Sequence, residues 1–171
     1  MVTTMPKLNI DSEPNNVLYR LKRGLAGYVS YLAACEMNEA FSEYVLYEPT
    51  LRILTARGYT VRCEFPCPGM PRSKSGDVKK IDFEATGHGE RIAIEVKWSK
   101  TKRLNVANDF NKLAALHKDD PQSRSFLCIF GRMSIIKNIH LIGGDFTEHG
   151  DAVYADMKRT KYGCRIFEIS Q

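Results

Sequence analysis

The sequence predicts a mixed α/β fold, and three observations predict it. Apolar residues recur at helical spacing over residues 17–32. Three segments between Tyr59 and Lys97 alternate with the period of a strand. A second helical stretch, 105–117, then leads into an almost unbroken apolar run, 125–131. Helix, three strands, helix, strand is the order of an antiparallel meander followed by a crossover to a parallel strand.

Each element has its own signal. Val17, Leu18, Leu21, Leu25, Val29 and Leu32 make one helical stripe, in which Gly24 and Gly27 permit close packing. Residues 1–16, polar and containing Pro6 and Pro14, read as disordered or loosely docked. Ser42-Glu43 marks a second helix start, and Pro49 either kinks that helix or sits in the first turn of one beginning near Glu48. Gly58 caps its end. Strands are expected over 59–65, 79–85 and 91–97, with a Pro- and Gly-containing loop from Pro66 to about Val78. Asp119-Asp120-Pro121 stops the later helix, and SFLCIFG reads as a buried strand. Beyond Arg132, residues 152–158 read as helical and 164–169 as a last strand. Neither repeats nor a second domain are evident, so residues 17–171 are expected to form one domain.

Composition narrows the class. No apolar run is long enough to cross a membrane, and the first residues lack a signal-peptide pattern. Five cysteines cannot all be paired within the chain, and Cys63/Cys67 has no companion pair at zinc-finger spacing. Reduced thiols and a cytoplasmic location are therefore expected. Net charge is +5, and most of it lies between Arg72 and Arg103, where nine Lys/Arg stand against five Asp/Glu. That placement suggests a polyanionic partner.

The middle hairpin carries the chemistry. A two-residue turn at His88-Gly89 pairs Gly87 with Glu90, and counting outward sets Asp82 opposite Glu95 and Lys80 opposite Lys97. These four would share one face, with Ile81, Phe83, Ile94 and Val96 on the other. Opposed carboxylates repel, so the lysines or a hard divalent cation must offset them. The plainer alternative is a solvated sheet face with mixed charges.

Ile81-Asp82 on one strand and Glu95-Val96-Lys97 on the next, between two helices, resemble the PD-(D/E)XK, or restriction-endonuclease-like, nuclease superfamily. Motif and topology span about residues 42–131. Ile81 stands where the family name has proline, a position that varies. The resemblance implies a restriction-endonuclease-like core with an extra N-terminal helix and a C-terminal extension. It implies a metal-dependent DNA endonuclease in restriction, repair, recombination or defence, with RNA open as a substrate. Asp82, Glu95 and the Val96 carbonyl would hold Mg²⁺, with Mn²⁺ as a substitute, and Lys97 would be the catalytic lysine. Family members commonly add a helix glutamate to the metal site. Glu48 is the favoured match, and Glu43 and Glu64 are alternatives.

Lys74, Lys79, Lys80, Lys100, Lys102 and Arg103 flank the motif and would grip phosphates, with Lys112 on the next helix reaching DNA or the site. An ordinary solvated charge run is the bland alternative, and for Lys112 a solvated helix face is the favoured reading. Trp98 reads as core and His88 as a turn residue. A chain of this size cuts one strand most easily, so double-strand cleavage implies a homodimer. A catalytically silent nuclease fold that binds nucleic acid or serves assembly is the competing reading.

Overall fold

The computed structural model describes residues 17–37, 41–72, 74–157 and 159–170, so the expectation for residues 1–16 lies outside the described residues. Helix α1 (Val17–Ala34) buries the predicted stripe. A 3₁₀ turn (Glu43–Leu46) begins after Ser42, whose side chain makes no capping bond. Helix α2 (Tyr47–Ala56) follows with Pro49 buried in its first turn, where its missing N–H costs nothing. Gly58, at φ 85°, ends it. Of the two helix glycines only Gly24 is pressed: a Cβ there would lie 2.4 Å from Ile53 Cδ1, so the Ile53 side chain of α2 packs onto the bare backbone of α1 at this point.

Strands β1 (Thr60–Pro66), β2 (Lys80–Gly87) and β3 (Glu90–Ser99) form the expected antiparallel meander. His88 (φ 52°) and Gly89 (φ 77°) both take the left-handed conformation that a two-residue primed turn demands. The register is the one counted from that turn, with Gly87 opposite Glu90 and Phe83 opposite Ile94. After the short strand β4 (Arg103–Asn105), helix α3 (Ala107–Asp119) crosses to β5 (Arg124–Arg132), which pairs in parallel with β3.

The C-terminal region completes the sheet. A short helix α4 (Met133–Ile136) is followed by β6 (His140–Ile142), which pairs with β4. Then come β7 (Phe146–Glu148), β8 (Val153–Ala155) and β9 (Tyr162–Ile169). The main sheet runs β1-β2-β3-β5-β9-β7, with β8 also pairing with β9. The helix expected over 152–158 is therefore corrected to a strand at 153–155. Val153 and Tyr154 suit a strand, and the Tyr154 ring lies against Gly163 of β9, where even a Cβ would collide with it.

Two apolar clusters cover the two faces. One joins α1 and α2 to Phe83, Ala85, Ile92, Ile94 and Val96. The other joins Leu113 and Leu116 of α3 to Ala93, Leu127 and Ile129. Ile81 belongs to the second cluster, not with Phe83 as expected. Strand alternation breaks between them because the chain is irregular at Asp82. The β1–β2 ladder steps over the Glu64–Asp82 position, and Glu64 has φ 52°.

Lys22 is buried in α1 and donates to the His149 and Asp151 carbonyls, at 2.9 and 2.6 Å. It ties the helix to the segment between β7 and β8. Lys22→Met is expected to cost about 3 kcal/mol in denaturant unfolding, since both charged hydrogen bonds to carbonyls disappear together.

Candidate active site

The irregularity at Asp82 builds a site. With the ladder interrupted, the Asp82 carboxylate turns to accept a hydrogen bond from the Val96 N–H (2.8 Å, Oδ2). Its other oxygen lies 2.6 Å from the Tyr47 hydroxyl, which also stands 2.9 Å from Glu64. One hydroxyl hydrogen thus serves two carboxylates. Burial, and then Asp82, push the Tyr47 phenol far above its ordinary pKa. Lys80 pairs with Glu64 at 3.7 Å rather than facing Lys97, because the regular β2–β3 ladder ends at Phe83 and Ile94.

Glu95 is 1% exposed. Lys112 Nζ stands 2.6 Å from its Oε1, a buried ion pair. Burial, then the negative charge of Asp82, push the Glu95 carboxyl up to about 8, against the pull of Lys112. Lys97 lies between Glu43 (3.4 Å) and Asp109 (3.5 Å). Burial works against its charge, but Asp109 and Glu43 outweigh burial and hold its pKa above the ordinary lysine value. Lys112 also approaches Asp109 (3.5 Å) and donates to the Lys80 carbonyl (3.0 Å). For Lys112 too, burial is outweighed, first by Glu95.

Five carboxylates (Glu43, Glu64, Asp82, Glu95 and Asp109) and three lysines (Lys80, Lys97 and Lys112) are thus drawn into one cluster. Acids outnumber lysines, and the most buried acid, Glu95, has only Lys112 as an ion-pair partner among the described residues. Among the described residues no group of three or more His, Cys, Asp or Glu side chains is placed to hold a metal ion. The donors are nonetheless all hard oxygens, and the surplus of negative charge suits a hard divalent cation that keeps several waters.

Several expectations are relocated. The helix glutamate beside Lys97 is Glu43. Glu48 is exposed on α2 and pairs with Arg52 one turn on, so its assignment to the site is corrected. Glu43 reaches inward because the 3₁₀ turn packs against β3, whereas Glu48 lies on the outer side of α2. Lys112 lies within the cluster rather than on a solvated helix face. Asp109 and Tyr47 join the site without having been expected there. For Asp109 a signal existed: it sits three residues before Lys112, on one helix face.

The flanking cations Lys74, Lys79, Lys100, Lys102 and Arg103 are exposed. Lys74 and Lys79 precede β2, and the other three follow β3. In an antiparallel pair these two points lie at one end of the hairpin, the end that carries Asp82 and Glu95. His88 is a turn residue, with Nε2 2.7 Å from the Arg57 carbonyl oxygen. Trp98 packs on Phe41, Phe130 and Tyr162 but is only partly buried. No helix among the described residues is long and apolar enough to cross a membrane. Cys67, Cys128 and Cys164 are buried free thiols, and Cys35 and Cys63 are exposed ones.

The chain matches no protein-family model, no curated protein and no solved structure.

Proposed function

We propose that the chain is a metal-dependent DNA endonuclease with a restriction-endonuclease-like core. One observation carries this reading: Glu95, 1% exposed, lies close enough to Asp82 to feel its charge, in a cluster whose carboxylates outnumber its lysines, with Lys97 two residues on. Such an arrangement costs stability unless it serves a ligand. Asp82, Glu95 and the Val96 carbonyl would hold Mg²⁺, or Mn²⁺ in its place. When bound, the ion polarises the scissile phosphate and makes water a better nucleophile. Tyr47 and the Val96 amide fix the Asp82 carboxylate. Lys97, kept protonated by Asp109 and Glu43, acts as a cation beside the phosphate and stabilises charge that develops there. Asp109 is a positioning residue for Lys97 and Lys112.

The contact of Lys112 with Glu95 favours a second reading, a catalytically silent nuclease fold. There the lysine supplies the counter-charge without a metal. Calorimetric titration with Mn²⁺ separates the two. Under the nuclease reading the wild type binds and Asp82→Ala does not. Heat absent from both supports the silent fold.

Two further outcomes are expected. Glu43→Gln lowers cleavage about tenfold by loosening Lys97, while Glu48→Gln leaves the rate within a factor of about two, as initial rates on plasmid would report. Replacing Lys100, Lys102 and Arg103 together by alanine weakens DNA binding for every sequence. It also flattens the dependence of log affinity on log salt, by roughly 0.9 for each phosphate that the variant no longer neutralises.

A further inference from the structure

Past the acidic cluster, β3 and β5 run in parallel and end at Ser99 and Arg132. The carboxyl ends of parallel strands are a common place for a ligand crevice. A cavity of about 410 Å³ opens there, lined by Phe41, Trp98, Ile135, Tyr162, Lys100 and Arg132. Its walls adjoin the cluster in sequence on two sides. Trp98 follows Lys97, and Phe41 stands two residues before Glu43, which holds Lys97.

Three aromatic rings meet in this cavity. Phe41 lies 5.1 Å from Trp98 and edge-on to Tyr162 at 5.2 Å, and Trp98 and Tyr162 are nearly parallel at 6.0 Å. Tyr162 is buried, whereas Phe41 and Trp98 keep part of their surface open. The two cations at the mouth are exposed, and among the described residues no ion pair involves either. Arg52, Arg62, Arg91, Arg124 and Arg165, by contrast, each hold a carboxylate. Among the described residues no acid lines the cavity. Open ring surface beside positive charge that no described acid pairs is the chemistry that receives a base on its π-face and the adjoining phosphate on the cations.

We propose that this cavity binds an unpaired nucleobase and its phosphate in a DNA single strand, next to the strand held at Asp82 and Glu95. The substrate class is then DNA with a single-stranded or branched element rather than continuous duplex. The choice of DNA rests on the nuclease reading above. The cavity itself is tested separately.

Trp98 is the chain's one tryptophan, so its emission reports the cavity directly. The experiment titrates the full-length protein, in EDTA, with short oligodeoxythymidine and with blunt duplex of equal length. Single strand is expected to quench Trp98 strongly and duplex weakly. Phe41→Ala is expected to weaken single-strand binding about tenfold, and Arg132→Ala several-fold, with far-ultraviolet circular dichroism confirming that both variants fold. Equal quenching by duplex, or none by single strand, overturns the proposal. Cleavage of plasmid and forked DNA in Mg²⁺ is scored alongside. Quenching without cutting keeps the cavity and sinks the nuclease reading. Cutting without quenching sinks the cavity alone.

Discussion

Lys97→Met is expected to reduce DNA cleavage by about 10²–10³-fold, which is what removal of one preorganised charge-stabilising donor costs an enzyme. The side chain is 25% exposed and fixed between two acids, so its ammonium is already positioned before substrate arrives. Its raised pKa means that it meets the phosphate as a cation across the neutral range. Methionine keeps the length and removes the charge. The fold should survive the change. Asp109 retains Lys112, and Glu43, 38% exposed, retains water. Single-turnover rates at saturating protein, with thermal melts of both proteins, check this. A melt lowered by more than a few degrees would assign the lost activity to unfolding.

Glu95→Gln is expected to do the opposite to stability. An unfolded glutamate titrates near 4.3, and Glu95 in the fold at about 8. Between these values the folded chain holds a proton that the unfolded chain has released. The contribution to stability is therefore complete below the unfolded value and is lost as pH rises through about 8. The loss can reach at most about 5 kcal/mol for a shift of this size. Glutamine removes the titration, so the variant should melt above wild type in EDTA, by a margin that widens from about pH 5 to about pH 9, while cleavage is abolished. Lys112→Met should destabilise, by about 2 kcal/mol. That is below the usual cost of breaking a buried pair, because Glu95 can take up a proton instead. A Glu95→Gln margin that is flat with pH would show that burial does not strain this carboxylate.

The order of elements and the central hairpin could be read from the sequence because their signals are local. The stripe from Val17 to Leu32 buries as one face, and the left-handed turn at His88-Gly89 fixes the register of β2 and β3. What could not be read depends on long-range geometry. The positive φ of Glu64 has no sequence signature, yet it accompanies the break in alternation that sends Ile81 and Phe83 to different faces. The 3₁₀ turn before α2 changes which glutamate points inward, so the choice of Glu48 over Glu43 failed on a rotation that helical periodicity cannot resolve. Tyr47 joins the site from α2, 35 residues before Asp82, through a single hydroxyl. The strand at Val153–Ala155 is too short for its period to show, and it forms because β9 offers an edge.

The most direct test of the acidic cluster as a hydrolytic centre is nicking of supercoiled plasmid and forked DNA by the wild type and by Asp82→Ala, each with Mg²⁺ and with EDTA. Cutting by the wild type in Mg²⁺ alone, with none by the variant under either condition, is the expected result. Cutting that survives Asp82→Ala, or DNA binding by the wild type with no cutting of any substrate in Mg²⁺ or Mn²⁺, would contradict it.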